Sequence, residues 1–156
     1  KLPSVFKRIK EKLPEAKLAS YPAWGAINIG PIEEYLAIDR FTQRGVQDIP
    51  LCDEILKCIE TKPNFLFIQF EEVDSAGHDS VYGKEEHLKK IEQSDMLVGK
   101  VYEAYEKAGI IEDTLFLVIT DHGGIRNGHG GFTNEEKYVF MAAAGIPYYV
   151  FCMEQW

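Results

Sequence analysis

Polar and apolar positions along the chain fall into stretches with two different periods. Residues Pro3-Ser4-Val5-Phe6-Lys7-Arg8-Ile9-Lys10-Glu11-Lys12-Leu13 have the spacing of a short amphipathic helix, with a proline near its start and Pro14 just past its end. Lys17 to Tyr21 predicts a short strand that runs into the turn Pro22-Ala23-Trp24-Gly25. Residues 23 to 49 mix Gly, Pro, Ile and charge with no clean period, and no element is assigned there. Leu51 to Thr61 predicts a second helix, closed by Pro63. Phe65-Leu66-Phe67-Ile68-Gln69-Phe70 is a near-continuous apolar run, the mark of a strand buried on both faces of a parallel sheet.

From Lys84 to Ala108 the period changes to that of a long helix. Leu88, Ile91, Val98, Tyr102 and Tyr105 recur at three- and four-residue steps, and Gly109 supplies the stop. Thr114-Leu115-Phe116-Leu117-Val118-Ile119 reads as a second all-apolar strand, and Tyr138 to Ala143 as a third. Strand, helix, strand with long crossovers predicts one α/β domain over residues 1–156, with a mostly parallel sheet.

Composition narrows the picture. A chain that is 46% hydrophobic and 27% charged matches an ordinary globular domain. No apolar run approaches the roughly 20 residues that cross a bilayer, so no membrane span is expected. The first residue is Lys1 and not Met, so the natural start is expected upstream. A formal charge of −8 repels polyphosphate backbones and argues against binding a nucleic-acid polymer. Two divalent cations among the carboxylates would bring that charge to about −4 and make room for a small phosphate ester. Cys52, Cys58 and Cys152 form no Cys-x-x-Cys pair and no disulfide framework. They read as buried thiols, which mildly favours a reducing compartment.

In parallel sheets, ligands bind beyond the carboxyl ends of the strands, and both strong strands end in the same kind of sequence. One runs into Glu71-Glu72-Val73-Asp74-Ser75-Ala76-Gly77-His78. The other runs into Thr120-Asp121-His122-Gly123-Gly124, with Gly128-His129-Gly130-Gly131 close behind. Three of the four histidines fall in these two segments, which are read as loops. Imidazole and carboxylate are the ligand types of Zn²⁺ and Mn²⁺ in hydrolytic sites. Asp74, His78, Asp121, His122 and His129 are too many for one open catalytic ion and about right for two ions about 4 Å apart. A lone loop histidine is ordinarily a solvated residue. Two such segments after two apolar strands are harder to explain as turn chemistry.

These motifs, with Asp113-Thr114 ahead of the second strand and Trp24-Gly25-Ala26-Ile27-Asn28 with Glu33 upstream, resemble the alkaline phosphatase superfamily. Within it they are most similar to the type I phosphodiesterase/nucleotide pyrophosphatase group. The resemblance implies a three-layer α/β/α sandwich, here its C-terminal part. It implies one ion, zinc or else manganese, on Asp74, His78 and His129, and a second on Asp121 and His122. It further implies an upstream Asp and a Ser or Thr nucleophile at a helix N-terminus, neither of which has a counterpart here. In larger members a long insertion precedes the last His, whereas His129 follows Asp121 by eight residues. The implied activity is hydrolysis of a phosphodiester or nucleotide pyrophosphate. Phosphomonoesterase, phosphomutase and sulfatase relatives remain as rivals, as does a catalytically inactive metal-binding fragment.

Ser75, Ser80 and Thr120 lie near the candidate ligands, but none is expected at a helix start where backbone N–H groups could hold phosphate. Asp95 falls in step with Ile91 and Val98. A buried carboxylate needs a partner, so Asp95 is a candidate to brace a ligand loop, against the plainer reading of a stripe edge. His87, outside both segments, is expected at the surface. Trp24 and Asn28 are candidates to line a substrate pocket, with core packing and a turn role as the competing readings. An open sheet edge and the apolar tail Tyr148-Tyr149-Val150-Phe151-Cys152-Met153 together predict self-association.

Overall fold

The computed structural model describes residues 2–43 and 45–145. The tail from Tyr148 to Met153, and Cys152 with it, lies outside the described residues. In chain order the elements are α1 (Val5–Lys12), β1 (Leu18–Pro22), a 3-10 turn (Gly25–Asn28), β2 (Asp39–Arg40), α2 (Asp48–Glu60) and β3 (Phe65–Gln69). There follow α3 (Glu72–Ser80), α4 (Glu85–Lys107), a second 3-10 turn (Ile111–Asp113), β4 (Leu115–Ile119), α5 (Asn134–Lys137) and β5 (Met141–Gly145). No helix among the described residues is long and apolar enough to cross a membrane.

The protein is mixed α/β with a parallel three-stranded sheet in the order β2-β1-β3. The central strand is the unassuming Leu18–Pro22, buried at every position, whereas the more apolar β3 is half-buried at the sheet's edge. Strand position follows from neighbours and not from apolar content. The two-residue alternation sorts side chains to opposite faces. Ala19, Tyr21, Leu66 and Ile68 pack with Leu51, Ile55 and Ile59 of α2 and Leu97, Val101 and Tyr105 of α4. Leu18, Phe65 and Phe67 turn the other way, onto Phe6 of α1 and Ile32. Leu51 and Ile55 are fully enclosed, and each such side chain contributes roughly 1.5–3 kcal/mol of burial free energy. Cys52 and Cys58 are buried free thiols of this same cluster.

The three-stranded sheet is parallel, as expected, whereas β4 pairs antiparallel with β5 in a separate two-stranded ribbon. One side of this ribbon packs on α4 through Phe116, whose ring meets Tyr102 and Tyr105 edge-on. The other side leaves Leu115, Leu117 and Ile119 exposed, so β4 is not buried on both faces. The segment after β3 is a helix, α3, and not a loop. Lastly, the buried face of α4 is His87, Leu97, Val101 and Tyr105, while Leu88 and Ile91 of the expected stripe are exposed.

Candidate metal centre

Nothing in Glu72-Val73-Asp74-Ser75-Ala76-Gly77-His78-Asp79-Ser80 has an apolar helical period, and α3 has no capping side chain of its own. The cap comes from a distance. Asp48, fully buried at the start of α2, accepts the backbone N–H of Glu71 on one carboxylate oxygen and that of Glu72 on the other, both at 3.0 Å. A carboxylate there satisfies two otherwise orphaned donors and complements the helix dipole. Burial pushes the Asp48 carboxyl upward, and the two N–H groups pull against it. From α4, Lys90 (3.2 Å) and Gln93 (2.7 Å) grip the two oxygens of Glu72.

On this helix Asp74 and His78 stand four residues apart and so share a face. Asp74 Oδ2 is 3.5 Å from His78 Nε2, and Asp74 Oδ1 is 3.6 Å from His129 Nε2. One ligating atom from each of Asp74, His78 and His129 lies within 4.8 Å of the others. The row of side chains continues: the His122 ring stacks on His129 with centroids 3.7 Å apart, and His122 Nε2 is 3.7 Å from Asp121 Oδ2. Asp121 itself is largely open to solvent. The chain can turn directly after His122 because Gly123 lies against the Glu135 backbone, where a Cβ would come within 2.0 Å of the carbonyl oxygen.

Two carbonyls set the histidine tautomers. His78 Nδ1 is 2.8 Å from the Asn127 carbonyl oxygen, and His122 Nδ1 is 2.9 Å from that of Gly123. A carbonyl only accepts, so each Nδ1 carries a proton, and at His78 it is Nε2 that faces the Asp74 carboxylate. A nitrogen–carboxylate set of this kind fits a divalent cation.

Tyr82 was not singled out from the sequence, yet it meets Asp74, the His78 ring and both ligand-bearing segments. Its hydroxyl donates to Asp74 Oδ1, and its backbone N–H donates to the Arg126 carbonyl at 2.7 Å. Burial, followed by the Asp74 carboxylate, pushes the phenol's pKa up and keeps it a donor. His87, expected at the surface, is buried instead: its ring lies 5.0 Å from that of Tyr82, and its Nδ1 accepts the Gly83 N–H at 3.2 Å. No periodicity signal marks either residue, since both act through the fold of the turn between α3 and α4.

The remaining candidates lie apart from this cluster. Asp95 is exposed and borders a cleft between α4 and the β4–β5 ribbon, and the bracing expected of it is done by Lys90 and Gln93. Trp24 is 59% exposed, which excludes core packing, and its backbone N–H donates to Gln69. Asn28 is buried and donates to the Phe41 carbonyl, holding the chain as it leaves β2. Ser75 sits within α3 and is exposed, and the Ser80 hydroxyl donates to the Ala76 carbonyl.

The sequence model described as type I phosphodiesterase / nucleotide pyrophosphatase matches residues 9–136, a span that contains all five candidate ligands. Over 103 residues the chain is 26% identical to a 2,3-bisphosphoglycerate-independent phosphoglycerate mutase of Campylobacter jejuni subsp. doylei. That stretch covers 62% of this chain and 20% of the mutase, so the chain spans about a fifth of the relative's length.

Proposed function

Since the chain belongs to the type I phosphodiesterase / nucleotide pyrophosphatase family, we propose that it serves divalent-metal-dependent hydrolysis of a phosphodiester or nucleotide pyrophosphate. The observation that carries this reading is the convergence of Asp74, His78 and His129 at the carboxyl end of β3. Those three would hold one ion, and Asp121 with His122 a second. Zinc is favoured by the nitrogen-rich donor set, with manganese as the other candidate. When bound, such ions supply Lewis-acid stabilisation of the charge that develops on phosphoryl oxygens. The protein's own part is to hold Asp74 and His78 on one rigid helical face and to orient the His78 and His122 rings through the Asn127 and Gly123 carbonyls. The helices on the two faces of the parallel sheet, α1 on one and α2 with α4 on the other, support a three-layer α/β/α arrangement. The bare apolar row on β4 supports self-association of the isolated chain.

A second reading, phosphomutase chemistry, is favoured by the match to the phosphoglycerate mutase. One experiment separates them. Protein purified without chelator is assayed for zinc and manganese, then offered bis(p-nitrophenyl) phosphate, p-nitrophenyl phosphate and 3-phosphoglycerate. Bound metal with diester turnover that His122→Ala abolishes supports the first reading. Interconversion of phosphoglycerates supports the second. Metal uptake with no turnover leaves a metal-binding module and overturns both.

A further inference from the structure

We propose that Tyr82 is the positioning residue of this centre: its hydroxyl fixes the carboxylate of Asp74, and its ring is the wedge that holds the two ligand-bearing segments in register. The proposal rests on the metal-site reading of Asp74, His78 and His129.

Four observations converge on this side chain. The hydroxyl donates to Asp74 Oδ1, the oxygen that faces His129, while Oδ2 is left facing His78. The ring occupies space that Gly77 and Gly124 leave empty. A Cβ at either glycine would meet its atoms at 2.5 Å, so the ring is pinched between α3 and the segment after β4. His87, reaching from α4, closes a third side. The backbone joins in, because the Tyr82 N–H donates to the Arg126 carbonyl in the same tight turn that presents Asn127 to His78.

The chain spends conformational energy to put the ring there. Val81, which ends α3, has φ +78°, a left-handed conformation that a β-branched residue adopts only when its surroundings enforce it. That turn folds Tyr82 back beneath the helix it has just left. A metal-ligating carboxylate free to rotate samples many orientations. One held by a phenolic O–H presents the same lone pairs throughout, and losing such an outer partner typically weakens metal binding by about 10- to 100-fold. The phenol acts on the carboxylate of Asp74, so the role is to orient.

The test compares wild type, Tyr82→Phe and His78→Ala by calorimetric titration of the metal-free full chain with Zn²⁺, and by the visible spectrum of the Co²⁺-loaded protein. Tyr82→Phe keeps the wedge and removes only the hydroxyl. The expected result is zinc affinity about 10- to 100-fold weaker than wild type, an altered Co²⁺ spectrum and an unchanged metal-free melt. Equal affinity and an identical spectrum in the two proteins would overturn the role of Tyr82 while leaving the metal site standing. Wild type that binds no better than His78→Ala would overturn the site reading, and this inference with it. Should Tyr82→Phe fail to fold, Gly124→Ala replaces it. That change displaces the ring with its hydroxyl intact and must also weaken zinc binding; undiminished affinity there overturns the proposal.

Discussion

His78 and Asn127 hold each other twice: the imidazole Nδ1 lies 2.8 Å from the Asn127 carbonyl, and the Asn127 side-chain amide donates to the His78 carbonyl at 2.8 Å. This reciprocal pair ties α3 to the turn that precedes His129, so the two halves of the site cannot drift apart independently. Asn127→Ala removes the amide bond and spares the backbone carbonyl that sets the His78 tautomer. A neutral hydrogen bond is worth about 1 kcal/mol, or about fivefold in an equilibrium constant. We expect zinc affinity to fall by about that factor, against complete loss in His78→Ala. Titration calorimetry checks both, and an Asn127→Ala defect as deep as that of His78→Ala would show that the side chain does more than tie.

Asp48 acts farther from the site and with more energy at stake. Because it is fully buried and accepts two N–H groups, Asp48→Ala strands both donors at the head of α3. The expected loss is about 3 kcal/mol, read as a lower urea midpoint at unchanged slope. Asp48→Asn keeps one acceptor and should fall between the two. A change under about 0.5 kcal/mol, the size of an ordinary surface effect, would mean that α3 does not depend on this cap.

Beside the start of α1, Glu33 should report its surroundings through pH. The Ser4 hydroxyl and then the Ser4 backbone N–H hold its carboxyl down to about 2, from an ordinary value of 4.5. A depressed carboxyl contributes stability that is present above its unfolded value and lost as pH falls through the folded one. The window here runs from about 4.5 down to about 2. In Ser4→Ala the Glu33 carbon-13 titration midpoint should climb toward 4.5, and the start of α1 should fray, since Ser4 also caps Lys7. An unmoved midpoint would assign the depression to another cause.

The exposed row Leu115, Leu117 and Ile119 lies on a strand whose only partner among the described residues is β5. Apolar strands left open in this way invite pairing with another chain, and an added lysine discourages it. Sedimentation of the isolated chain should show association at micromolar concentration, reduced in Leu117→Lys. A clean wild-type monomer would contradict this.

What the sequence disclosed was whatever depends on local pattern. Apolar runs marked β3 and β4, spacing marked α2 and α4, and ligand chemistry singled out Asp74, His78, Asp121, His122 and His129. Hidden were the features made by partners distant in the chain. Helix α3 carries no apolar stripe because its cap is Asp48 and its brace is Lys90 with Gln93. The expected stripe on α4 holds at Tyr102 and Tyr105 but fails toward the helix start, where Leu88 and Ile91 are exposed and His87 is buried instead. Tyr82 looked like any aromatic in a turn until Gly77 and Gly124 were seen to make room for it.

That fit leads to a prediction about coupling. Gly77→Ala places a methyl where the Tyr82 ring stands, and the ring has no retreat because Gly124 borders it on the other side. Overpacking of this kind costs about 1–3 kcal/mol. Tyr82→Ala empties the same space at its own cost in lost packing. If the clash is the reason Gly77 must be glycine, the double variant loses less than the two single changes added together, with a coupling of about 1–2 kcal/mol. Urea denaturation of the four proteins measures it. Strict additivity would place the penalty of Gly77→Ala elsewhere in α3 and remove the steric half of the case for Tyr82, leaving its hydrogen bond to Asp74 to be judged by metal affinity alone.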